Sequence, residues 1–216
     1  MLLAIDTATR QVSMALHDGQ AILAEETWRS KDHHTVELTP ALLAMLNRVG
    51  VTPTALIALA VAQGPGSYTG LRIGMSLAKG LALAADPPLP IVAIPTLDIV
   101  AAAQPHYADR LCVVSQAGRG RINVCFYTWQ GEWQAAGKPF VSTWAALCEH
   151  LEGTVQVAGE IDVEGRARLA ALGERALVAS AALGLRRAGF LAELALRRLA
   201  AGDFTDAASV APLYVS

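Results

Sequence analysis

Glycine and hydroxyl residues crowd together in Gly64-Pro65-Gly66-Ser67-Tyr68-Thr69-Gly70, which continues as Leu71-Arg72-Ile73-Gly74. Proline presets φ and glycine supplies φ > 0, so the stretch must turn tightly. Such a turn can aim free backbone N–H groups at an anion. The spacings that carry phosphate chemistry are nevertheless absent. A Walker A lysine would stand where Leu71 is, and a dinucleotide fingerprint needs glycine in place of Thr69. A nucleophile elbow on Ser67 would need glycines at Pro65 and Thr69. Gly70, Gly74 and Ala78 instead recur every four residues, on one face of a helix. Small residues there admit another backbone, either the chain's own sheet or a partner helix.

Metal and redox chemistry find no better footing. His33 and His34 are adjacent and cannot share a helical face, and His17, His106 and His150 stand alone. Each reads as a surface or hydrogen-bonded histidine, and no metal is expected. Cys112, Cys125 and Cys148 lack CxxC spacing, which predicts reduced thiols in a cytoplasmic protein. Trp129, Trp133 and Trp144 have no interleaved Lys or Arg, so they read as sheet and hairpin packing rather than a base-stacking surface. Arg186, Arg187, Arg197 and Arg198 read as the solvated face of a last helix, with an approach to phosphates as the alternative. The chain of 216 residues is 53% hydrophobic and 17% charged, against roughly 25% charged in an average domain. A chain so apolar hides surface, either in a large core or against a partner. Its formal charge of −2 and lack of a basic tract do not suggest autonomous nucleic-acid binding. Residues 49–71 are uncharged, but Pro53, Gly64, Pro65 and Gly66 break them, so no membrane span is expected.

These residues need a frame. The apolar run 56–62 reads as a strand buried on both faces of a mostly parallel sheet, and 70–85 as a helix capped by Ser67 or Thr69. Upstream, 2–6, 12–17 and 21–28 read as an antiparallel meander, with Asp18-Gly19 as a hairpin turn. Leu38, Leu42, Met45, Leu46 and Val49 recur at helical spacing, and Pro40 predicts a kink or a restart capped by Thr39. A short strand at 91–93 and a helix at 96–103 follow. The pattern restarts near Gln104-Pro105: strands 111–115, 122–129 and 133–141, helix 143–151, strand 155–158, helix 164–172, strand 176–178 and a long helix 183–201.

Both halves therefore spell βββαβαβα. Two copies of that order indicate an α/β, two-lobed actin-like/Hsp70-like (ribonuclease H-like) fold with mixed sheets. Residues 1–103, joined by 183–216, make one half and 104–182 a smaller second half. The duplication lies in element order; no residue-level repeat is evident. In actin-like ATPases the turn after the first strand of each half cradles phosphates, and carboxylates hold Mg²⁺. The first turn here, Asp6-Thr7-Ala8-Thr9-Arg10, has no glycine. Asp6 could hold a metal through water or satisfy its own turn's N–H groups. The second, Ser115-Gln116-Ala117-Gly118-Arg119-Gly120-Arg121, has glycines but no acid. Asp6, Thr7 and Gly118 are thus the candidates for a degenerate, weak nucleotide site, and no cofactor is expected.

The eleven residues Gly64–Gly74, with the opening Leu3-Ala4-Ile5-Asp6-Thr7-Ala8-Thr9, resemble the bacterial TsaB (YeaZ) family. His34-Thr35 before Pro40 also matches, giving His34 a capping or interface role. Two places depart from the family pattern. Gln116, Gly118 and Arg121 replace its Asp-Ala-Arg and Glu, and the closing Pro212-Leu213-Tyr214-Val215 lacks the final Arg. The resemblance implies a non-catalytic scaffold for N6-threonylcarbamoyladenosine at position 37 of tRNAs reading codons that begin with A. Its partners would be the transferase TsaD, which uses threonylcarbamoyl-AMP, the ATPase TsaE, and a second copy of itself; tRNA would be met only through the complex. TsaD carries a His-x-x-x-His metal helix, and no such spacing exists here. The family's helical face places the expected interface on 35–48 and 69–85, through His34, Leu38, Leu42, Met45, Gly70, Leu71, Gly74, Met75 and Ala78, with Gly70 and Gly74 leaving a groove. The alternatives are a stand-alone actin-like ATPase or sugar kinase and, more remotely, a metallopeptidase-like protein.

Overall fold

The computed structural model describes residues 1–31 and 34–215. Two compact units emerge, 1–96 with 186–213 and 97–185 with 214–215. In the first, β1 (Leu2–Asp6), β2 (Gln11–His17), β3 (Ile22–Arg29), β4 (Ala58–Gly64) and β5 (Ile91–Pro95) form a sheet in the order β3-β2-β1-β4-β5. The meander pairs are antiparallel, and β1–β4 and β4–β5 are parallel. All five residues of β1 are buried, as the absence of polar alternation predicts. Leu3 and Ile5 join a core with Met14, Leu59 and Val61, under α1 (His34–Val49) and α2 (Tyr68–Leu83). Leu2, Ala4 and Asp6 point the other way by strand alternation, and the last helix, α6 (Ala188–Ala200), packs along β1 and β2.

The second unit repeats the plan. Strands β6 (Arg110–Gly118), β7 (Arg121–Trp129), β8 (Trp133–Ala135), β10 (Val155–Gly159) and β11 (Ala176–Val178) run in the order β11-β10-β6-β7-β8, and β9 (Phe140–Ser142) also pairs with β7. Read from its own first strand, each sheet has the order 3-2-1-4-5 with the same pair directions. The expected strand at 133–141 is in fact two short ones. Residues 136–139 include Gly137 and Pro139, and proline has no N–H for the ladder.

Three boundaries differ from expectation for physical reasons. Pro40 neither ends nor restarts α1, which runs from His34 to Val49 with the proline inside; the proline removes one hydrogen bond from the helix. Helix α3 (Thr96–Ala102) does not complete the first half, because Leu97, Val100 and Ala101 pack with Leu111, Val113 and Tyr127 of the second unit. The last helix begins at Ala188 rather than 183, because the preceding chain is extended at Arg187. Its first N–H groups are capped from a distance: Ala188 N donates to Ser13 Oγ and Gly189 N to Glu25 Oε1.

A residue-level repeat does exist. After β4, Gly64, Ser67 and Gly70 stand three residues apart; after β10, Gly159, Asp162 and Gly165 do the same. Gly64 and Gly159 both have strongly positive φ, 121° and 113°. Ser67 accepts from Gly70 N, capping α2, and Asp162 from Gly165 N, capping α5 (Val163–Ala170).

Candidate functional site: a filled first turn and an exposed helical face

The turn after β1 is where this architecture would hold a metal or a phosphate. Asp6 is fully buried there, and both carboxylate oxygens are engaged. Oδ1 accepts from Ala8 N at 2.9 Å, and Oδ2 accepts from Arg186 Nε at 2.8 Å. Arg186 is itself fully buried. Its Nη2 donates to Thr9 Oγ1 at 2.7 Å and to the Gln11 carbonyl at 3.0 Å. Arg186 is therefore neither on the last helix nor on a solvated face, which corrects the sequence reading. No pattern in the sequence links two residues 180 positions apart.

The glycine turn is closed in the same way. Ser67 N donates to the Ala8 carbonyl at 2.6 Å, Gly64 N to Thr96 Oγ1 at 3.0 Å and Gly70 N to Ser67 Oγ at 3.2 Å. These N–H groups serve the fold and are not offered to an anion. A Cβ on Gly66 would strike the Ala8 carbonyl, one on Gly70 the Thr7 carbonyl and one on Gly74 the Thr7 hydroxyl. Thr7 Oγ1 donates to the Gly70 carbonyl at 2.7 Å. The helix glycines thus face the first turn of their own sheet and leave no groove for a partner. Most of the residues expected at an interface are buried within the chain, although Leu38 also lines a groove between α1 and α2. Gly70, Leu71, Gly74, Met75 and Ala78 are buried within the chain, as are Leu38, Leu42 and Met45. His34 is buried too, its Nε2 donating to the Thr9 carbonyl at 3.1 Å, which is a local structural role. Helical spacing identified the apolar stripe correctly, but spacing cannot say whether a stripe meets its own sheet or another chain.

The outer side of the same two helices is open. A groove of about 480 Å³ lies between α1 and α2, with Leu38 and Ile73 among its apolar residues. Thr35, Thr39, Thr69 and Ser76 line it, together with Leu77 and the stacked pair Tyr68–Arg72, whose guanidinium lies 3.9 Å from the ring centre. Tyr68 is 56% exposed, and Val36, Leu43 and Leu83 are exposed on the same helices. Of these exposed residues Tyr68 lines the groove.

The second turn is a tight hairpin. Gly118 pairs with Arg121 across a two-residue β6–β7 hairpin in which Arg119 and Gly120 both have positive φ, a type I′ arrangement. Gln116, at its base, donates from its backbone N to Glu160 Oε2 at 3.1 Å and from Nε2 to the Glu160 carbonyl at 2.9 Å. The acid absent from the loop in sequence thus comes from the end of β10 and holds the loop in place. Among the described residues no group of three or more His, Cys, Asp or Glu could hold a metal. His106 is not isolated: it stacks on Trp129 at 4.6 Å and contacts Asp109 at 3.0 Å. His17 Nδ1 accepts from Gly19 N, and His150 Nδ1 contacts the Ala146 carbonyl; the His33 reading lies outside the described residues. Burial pushes the Cys112, Cys125 and Cys148 thiols up, away from reactivity. Trp144 is buried against Gly165, and Trp133 donates to the Gln104 carbonyl, both as packing residues.

Comparison with known proteins gives this arrangement its context. The family model for tRNA N6-adenosine threonylcarbamoyltransferase, TsaD, matches residues 21–196. The chain belongs to this family. Within it, the TsaB (YeaZ) proteins are the relatives it resembles. It is 36% identical over 129 residues to the tRNA threonylcarbamoyladenosine biosynthesis protein TsaB of Bacillus subtilis, covering 60% of this chain and 56% of that one. The Escherichia coli TsaB is 35% identical over 139 residues, covering 61% and 59%. The chain spans little more than half the length of these two relatives. YeaZ from Pseudomonas aeruginosa superposes with a TM-score of 0.80 at 29% identity, over 99% of both chains, in accord with a duplicated actin-like fold. No helix among the described residues is long and apolar enough to cross a membrane.

Proposed function

We propose that the chain is a non-catalytic subunit in the formation of N6-threonylcarbamoyladenosine at position 37 of tRNAs reading codons that begin with A. It works in the cytoplasm beside a TsaD-type transferase and a TsaE-type ATPase. Alone it forms a homodimer, and it meets tRNA only through the complex. The reading draws its reaction from the TsaB relatives and its non-catalytic character from the first turn, where Asp6 and Thr7 are committed to internal bonds. It requires no metal or nucleotide cofactor of its own.

The observation that carries the partner role is the groove between α1 and α2. Two helices side by side with an apolar floor, threonine walls and one Tyr–Arg pair suit a second pair of helices. Burial there stabilises a complex by about 25 cal/mol per Å² of apolar surface. Ser76 is exposed and lines this groove, so Ser76→Arg fills it from outside without entering the core. Sedimentation of the variant, alone and with a TsaD-type subunit, tests the reading. Loss of both associations by at least about tenfold in Kd, with an unchanged circular dichroism spectrum, is the expected result. A folded Ser76→Arg protein that still self-associates and still binds the transferase contradicts it.

A further inference from the structure

The buried pair Asp6–Arg186 does more than fill a void. In an actin-like ATPase the carboxylate after the first strand works with a divalent cation and a bound phosphate. A group of that kind does not fit here, because the position beside Oδ2 holds the guanidinium of Arg186 at 2.8 Å, fully buried, with Oδ1 spent on Ala8 N. The guanidinium does what a bound metal would do. It neutralises the carboxylate, takes Thr9 Oγ1 and the Gln11 carbonyl as further oxygen partners, and ties three stretches of chain together. We propose that Arg186 is a resident cation, supplied by the chain itself. It closes the Asp6 position to divalent metal and nucleotide phosphate and anchors the segment that leads into α6.

Several details favour a dedicated cation site over a chance ion pair. The planar fork of arginine reaches a carboxylate, a hydroxyl and a carbonyl at once, which a lysine cannot match. The chain is extended at Arg187 and enters α6 only at Ala188. Ala188 N, two residues on, is fixed to Ser13 Oγ. The cation therefore arrives on a segment that is itself tied down. The inference holds whether or not the groove between α1 and α2 docks a partner.

Chemical rescue tests it on the full chain. Arg186→Gly removes the cation and leaves a space shaped for guanidinium beside Asp6. The melting temperature should fall by about 10 °C, and guanidinium ion at sub-denaturing concentration should restore a clear part of the loss. Sodium or magnesium at equal ionic strength should not, and the parent protein should show no gain with guanidinium. If Arg186→Gly fails to fold, the single variants Asp6→Asn and Arg186→Met are compared with their double variant. The paired change should be less harmful than the two losses added. Three results overturn the proposal. One is Arg186→Gly melting like the parent. Another is additive losses in the cycle. The third is a saturable rise in the parent's melting temperature with Mg²⁺–ATP that Asp6→Asn abolishes.

Discussion

The two units carry the same strand plan, yet their first turns have opposite fates. After β1 the turn is packed from every side: Asp6 on Arg186, Thr7 on Gly70, Ala8 on Gly66 and Ser67. After β6 the chain reverses in a two-residue hairpin, and a Cβ on Gly118 or Gly120 would meet nothing within 4 Å. One turn is filled by side chains and the other is a two-residue hairpin. The packed turn holds its unit together through buried bonds, whereas the hairpin leaves Gly118 and Gly120 open to solvent.

Substitutions should expose this asymmetry, most severely in the filled turn. Gly74→Arg drives a long side chain into Thr7 and should unfold the first unit, a loss on the order of 4 kcal/mol or more seen as collapse of the thermal transition. Asp6→Asn leaves a buried guanidinium without its charged partner and should remove about 3 kcal/mol by denaturant unfolding. In the hairpin, Gly118→Ala meets open space but must hold φ near +74°, so about 1 kcal/mol is expected. A loss at Gly118 equal to that at Asp6 would erase the contrast. The smallest effect concerns the thiols. Desolvation raises Cys112 and Cys125, so at neutral pH both stay protonated and should resist alkylation until the protein unfolds. The half-buried Cys148 should react first, faster as pH rises, since its pKa is raised as well.

Local chemistry in the sequence located most elements, and the resemblance of its motifs located the family. The apolar run before Gly64, the cap at Ser67 and the Asp18-Gly19 turn each fix structure through neighbouring residues, and the structure has them all. What stayed hidden was long-range. The burial of Arg186 and the capping of α6 by Ser13 and Glu25 depend on contacts across more than 160 residues, and the transfer of α3 to the second unit on packing that local spacing does not reveal. The repeated Gly–x–x–cap–x–x–Gly spacing was present in the sequence, and aligning the chain on its two parallel crossovers would have shown it. The groove lies on the other side of these helices from most of the expected interface residues. Leu38, Met45, Leu71 and Met75 announce an apolar stripe, and that stripe belongs to the core, while Tyr68, Arg72 and Ser76 look ordinary in sequence.

Reconstituted tRNA modification tests the central claim most directly. The full chain is combined with TsaD-type and TsaE-type subunits, ATP, threonylcarbamoyl-AMP and an unmodified tRNA, and N6-threonylcarbamoyladenosine is quantified. The parent chain should support modification while hydrolysing no ATP alone, and Ser76→Arg, folded by circular dichroism, should lose most of that support. Undiminished modification with Ser76→Arg, or none with the parent chain, would contradict the account.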